Sequence, residues 1–137
     1  AFQMNKQPEY KWTPHEWFHC LNMKTGDSTG HYVGGILVIK KGKPARLILD
    51  KCKELLVKHS HLLTDTGPDK SIQDSRYVEN RHDQSLLSLI RKKDGSVVYP
   101  DETYCKQSHP FRKEFQFWAT RSLRLESRVS QVLQTQL

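Results

Sequence analysis

The run from Tyr77 to Gly95 limits the fold more than any other part of the chain. Its second half carries Leu86, Leu87, Leu89 and Ile90, a spacing that lays apolar side chains along one helical face. Lys92 and Lys93 suit the negative end of the helix dipole, and Gly95 suits a left-handed stop. Asp83 reads as the N-cap, its carboxylate accepting from the free amides of the first turn. Arg81, His82, Asp83 and Gln84 therefore gather at a helix N-terminus, which presents polar groups to a ligand. Capping plus a surface salt bridge would use the same residues without any ligand, so both readings stand at this point.

The segments before this run supply the rest of a core. Thr13-Pro14-His15-Glu16 reads as a helix start, with Thr13 as N-cap, Pro14 as the first helical residue and Glu16 as the reciprocal partner of a capping box. Trp17, Phe18 and Leu21 form its buried face. His15 and His19 lie one turn apart, and with no third ligand nearby they read as surface residues. The run Tyr32 to Ile39 is apolar on both faces and predicts a buried strand. Gly34 and Gly35 inside it call for a bulge or for the close approach of a backbone or ligand. Pro44 opens a second helix whose stripe is Ile48, Leu49, Cys52, Leu55, Leu56 and His59. Leu62 to Arg76 reads as a long surface loop and Ser96 to Tyr99 as a short strand. A terminal helix is expected around Leu125, Val129, Val132 and Leu133.

The totals bound the partners. Lys and Arg number 22 against 15 Asp and Glu, a net charge of +7 in 137 residues. Basic charge fits nucleic acid, an anionic surface or a nucleotide diphosphate. Here it is scattered and no nucleic-acid motif accompanies it, so nucleic acid is not favoured. Cys20, Cys52 and Cys105 make no disulfide framework and no zinc-type pair. No run is long enough to span a membrane, and Ala1 to Tyr10 has no signal-peptide core, which leaves the localisation open.

Gly34-Gly35-Ile36-Leu37-Val38, a following helix, and then His82-Asp83-Gln84-Ser85 resemble the carboxyl-terminal half of nucleotide-sugar glycosyltransferases with the A-type fold. The string Glu79-Asn80-Arg81-His82-Asp83-Gln84-Ser85 is similar to an Arg-His-Asp-Gln-Ser signature of glycosyltransferase-like proteins, and the resemblance spans Trp12 to Tyr104. It implies an α/β fold with a small mixed sheet and flanking helices, lacking the amino-terminal nucleotide-binding half. It implies a glycosyltransferase-like domain over residues 1–121, followed by a helical tail over 122–137. It also implies Asp83 as the catalytic candidate and Gly34, Gly35, Arg81, His82 and Gln84 as substrate-binding candidates. The partners implied are a nucleotide sugar and a glycan acceptor.

Sugar hydroxyls donate and accept, so carboxylate, amide and guanidinium groups held together suit them. The family also holds Mn²⁺ or Mg²⁺ with an Asp-x-Asp motif, and no Asp-x-Asp occurs here. No cofactor is therefore expected in this chain itself. Two expectations follow: the acceptor-side half of a transferase whose full form carries the metal, or a non-catalytic subunit of a larger assembly, derived from such an enzyme.

Overall fold

A computed structural model describes Ala1–Asp101, which form one compact unit. The expected boundary at 121/122, the terminal helix and Cys105 lie outside the described residues. The centre of the sheet is a strand at the very start of the chain, β1 (Phe2–Pro8). It pairs antiparallel with β2 (Gly30–Tyr32) and parallel with β3 (Tyr99–Pro100), giving the order β2-β1-β3. Gln3 stands opposite Tyr32 and Met4 opposite His31, with an irregularity before Pro8 meets Gly30. Gly30 is required there, because a Cβ would sit 2.6 Å from the Met4 carbonyl oxygen.

Of the three helices, α1 (His15–Cys20), α2 (Lys43–Lys58) and α3 (Asp83–Asp94), α3 packs against β2, and α1 and α2 pack against α3. Leu86, Leu89 and Ile90 of α3 meet Trp17, Phe18 and Leu21 in and after α1, together with Cys52 of α2 and Leu62. Fully burying an aliphatic or aromatic side chain of this size contributes roughly 1.5–3 kcal/mol, so this cluster is the main source of cohesion. Cys20 and Cys52 are free thiols. The molecule is thus a small α/β protein with a three-stranded mixed sheet, and no described helix is long and apolar enough to cross a membrane.

The outer edge of β2 is closed by side chains of α3 rather than by another strand. Ser88 Oγ accepts from the Tyr32 amide at 2.9 Å, Gln84 Nε2 donates to the Tyr32 carbonyl at 3.0 Å, and Arg91 Nη2 donates to the Val33 carbonyl at 3.0 Å. Capping an open strand edge this way removes a site for aggregation and fixes α3 against the sheet.

Several expectations are corrected, among them the strand expected over 96–99, which is confined to Tyr99–Pro100. The strand expected over 32–39 ends at Tyr32, and Gly34 and Gly35 lie in a bend beyond it. The register explains this: the Val33 amide donates to the Phe2 carbonyl, so Gly34 onward runs past the end of β1. Thr13 does not cap α1; its hydroxyl donates to Glu9 Oε1 at 2.5 Å. Pro14 is the N-cap residue, and the His15 amide is satisfied by Gln73 Oε1 at 2.8 Å. Glu16 accepts from Gln73 Nε2 and from the Asp69 amide instead of closing a capping box. Leu49 faces solvent, whereas Ile48, Cys52, Leu55 and Leu56 pack inward as expected. Finally, Asp83 is the first residue of α3 and His82 occupies the N-cap position. The expected loop over 62–76 includes part of one short 3-10 turn, Ser60–Leu63, and another, Lys70–Ile72, with Leu62 anchored in the core.

Candidate functional site

The turn that leads into α3 is built from side chains that alternate in purpose. The Gln84 amide donates to the Arg81 carbonyl at 3.1 Å, closing a β-turn over Arg81–Gln84. His82, its first central residue, has φ 54° and ψ −122°. That conformation belongs to the first central position of a type II′ turn, which glycine normally fills. A side chain there costs about 1–3 kcal/mol and persists only where its surroundings impose it.

The surroundings do impose it. Asn80 is buried; its Oδ1 accepts from the His82 amide at 2.9 Å and its Nδ2 donates to the Leu62 and Thr64 carbonyls at 2.7 and 3.2 Å. Ser85 is buried; its Oγ accepts from the Arg81 amide at 3.1 Å and donates to the Trp12 carbonyl at 2.6 Å. Gln84 lies over Gly34 so closely that a Cβ on Gly34 would come within 2.8 Å of Gln84 Cβ and Cγ. The room left by Gly34 is therefore filled by Gln84 of the same chain. A Cβ on Gly35 would meet nothing within 4 Å, so no close approach demands a glycine there.

Arg81, His82 and Asp83 remain outside this inward-facing set. The Arg81 guanidinium stacks 4.5 Å from the centre of the Trp12 ring, and its Nη2 pairs with Glu79 Oε1 at 2.9 Å. His82 Nε2 meets Asp65 Oδ1 at 2.8 Å on the surface. Asp83 is exposed, and its side chain makes no hydrogen bond or ion pair with any described residue. The structure thus brings together Gly34 with Gln84, and Arg81 with His82 and Asp83 along one turn.

A second polar cluster, not anticipated from the sequence, lies wholly inside. Glu9 is fully buried; its Oε1 takes hydrogen bonds from Thr13 and from His31 Nδ1 at 2.7 Å. Its Oε2 takes one from Ser88 Oγ at 2.6 Å and pairs with Lys92 Nζ at 2.8 Å. Burial alone would push the Glu9 carboxyl up; the hydrogen bond and charge of His31 and the charge of Lys92 outweigh burial and bring it down to about 2. An ionised acceptor at that distance requires the proton on His31 Nδ1. Lys92 continues to Asp27 Oδ2 at 3.0 Å and Thr29 Oγ1 at 2.6 Å. Glu9, His31 and Ser88 are sealed from solvent, so the cluster fastens the segment after β1, β2 and α3 together and offers nothing to a substrate. The sequence signal was a polar row, Gln84, Ser88 and Lys92, one turn apart on a helix whose neighbouring face is apolar.

Among the described residues, no group of three or more His, Cys, Asp or Glu is placed to hold a metal ion. Asp65 and His82 make only a pair. Comparison with protein-family models, curated proteins and solved structures finds no match to this chain.

Proposed function

We propose that this chain is the sugar-binding portion of a glycosyltransferase-like α/β domain with the A-type fold, acting on a nucleotide sugar or its glycan acceptor through Arg81, His82 and Asp83. The observation that carries this reading is the strained His82 backbone, held by buried Asn80 and Ser85 while its neighbours face outward. Backbone strain of this kind collects at ligand sites. Asp83 is the acceptor for vicinal hydroxyls, His82 both donates and accepts, and Arg81 offsets the charge of a diphosphate. Gln84 and Gly34 form the floor that fixes these groups. Isothermal titration of the chain against nucleotide sugars, with and without Mn²⁺, tests the reading; absence of heat under both conditions rejects it.

A second reading is a non-catalytic subunit of a larger assembly. The exposed apolar run Leu37–Ile39 favours it, since a surface of that kind suits a neighbouring chain. It predicts that the Arg81–Gln84 face becomes buried in the assembly, and an isolated monomer with that face open contradicts it.

A further inference from the structure

The segment Gly34 to Lys41 departs from the rest of the fold in two independent ways. Its backbone makes no hydrogen bond among the described residues, although the segment runs on directly from β2 and Val33. Its side chains Leu37, Val38 and Ile39 are 42%, 74% and 37% exposed. Ile36-Leu37-Val38-Ile39 has the composition of a strand, and a strand needs a neighbour to satisfy its amides and carbonyls. The preceding edge of β2 is sealed by Gln84, Ser88 and Arg91, so the free edge begins where that seal stops.

Charge selects the kind of neighbour. Lys40, Lys41, Lys43 and Arg46 follow the apolar run, and no Asp or Glu occurs between Ile36 and Leu49. A hydrocarbon phase would leave the free amides and carbonyls unpaired, which disfavours deep insertion into lipid. Aliphatic side chains offer no platform for stacking bases, which disfavours single-stranded nucleic acid.

We infer that Gly34 to Lys41 is a β-addition site that takes an extended polypeptide segment with acidic flanks. Main-chain hydrogen bonds to Ile36–Ile39 supply the affinity, and Lys40 and Lys41 select the acidic flank. This inference does not rest on the sugar-binding reading: its strand, Ile36–Ile39, and its lysines lie outside the Arg81–Asp83 turn, and only Gly34 is shared with the floor of that site.

The test uses the full chain and a fluorescein-labelled peptide, Glu-Glu-Val-Thr-Val-Thr-Val-Glu-Glu, followed by anisotropy and by amide hydrogen exchange. Amides of residues 36–41 are expected to exchange freely in the chain alone, and alternate ones to slow when the peptide is added. Alternate amides of a strand face the partner, so either Leu37→Pro or Val38→Pro should abolish binding. Neither should move the melting temperature, because no backbone bond is lost. Lys40→Glu with Lys41→Glu should weaken the acidic peptide about tenfold or more and favour a Lys-flanked counterpart. No anisotropy change, binding that survives both proline variants, or binding of phosphatidylserine vesicles or single-stranded RNA through these residues in place of the peptide would each overturn the inference.

Discussion

Replacing His82 separately by Gly and by Ala isolates the strain in the turn. Both changes remove the imidazole and its surface contact with Asp65, so that loss cancels in the comparison. The Ala variant keeps a Cβ at φ 54°, ψ −122°, whereas Gly adopts that conformation without penalty. Relief of strain contributes about 1–3 kcal/mol in favour of Gly. The greater freedom of Gly in the unfolded chain offsets about 0.5–1 kcal/mol of this. The Gly variant should therefore be more stable than the Ala variant by about 1 kcal/mol. That difference is expected to raise the melting temperature by about 4 °C or more for a domain of this size. Urea unfolding with matched slopes is the direct assay. An Ala variant as stable as the Gly variant would show that the turn carries no strain, and the argument from His82 to a ligand site would fail with it. If the strain serves binding, the Gly variant should be the more stable of the two and still bind sugar poorly, because the His82 imidazole is gone.

Other variants separate fastening from function. Asp83→Asn and Asp83→Ala should both leave unfolding within about 0.5 kcal/mol of the parent, since Asp83 is exposed and His82 holds the N-cap position. In a sugar-transfer or binding assay the Asn variant should lose about tenfold or more, the worth of a hydrogen bond to a charged acceptor. Gly34→Ala should destabilise by about 1–3 kcal/mol by driving Gln84 off the Tyr32 carbonyl, a change visible by thermal denaturation. The Glu9 carboxyl lies near 4.5 when free and about 2 when folded, so its stabilisation is complete above about pH 4.5 and is lost as the pH falls towards 2. The span of that loss is about 3 kcal/mol. Glu9→Gln should flatten this part of the stability–pH curve, and a curve of unchanged slope would show that Glu9 is not the titrating group.

The helical parts of the fold were legible because their apolar spacing is local. Leu86, Leu89 and Ile90 name the inner face of α3 without reference to anything else, and Trp17, Phe18 and Leu21 do the same for the helix they serve. Strands were less legible, since a strand is defined by its partner. Phe2–Pro8 has no alternation to announce it, yet it is the central strand because it pairs on both edges. Ile36–Ile39 has strand composition and no partner among the described residues. Caps failed where long-range contacts displaced local ones. Thr13 turned to buried Glu9, and α1 is satisfied instead by Gln73, 58 residues from His15. The candidate site was legible as a set of residues but not as a division of labour. Nothing in the order Asn80 to Ser85 says that Asn80, Gln84 and Ser85 turn inward while Arg81 to Asp83 turn outward. That division follows from His82, whose conformation only the folded chain reveals.

Backbone amide spectra of the isotopically labelled chain during titration with a nucleotide sugar address the sugar-site claim most directly. The account predicts shifts concentrated at Arg81, His82, Asp83 and their neighbours Glu79 and Trp12, with the Glu9 and Ser88 amides unmoved. Saturating nucleotide sugar that leaves Arg81 to Asp83 unshifted, or that shifts only residues remote from this turn, would contradict it.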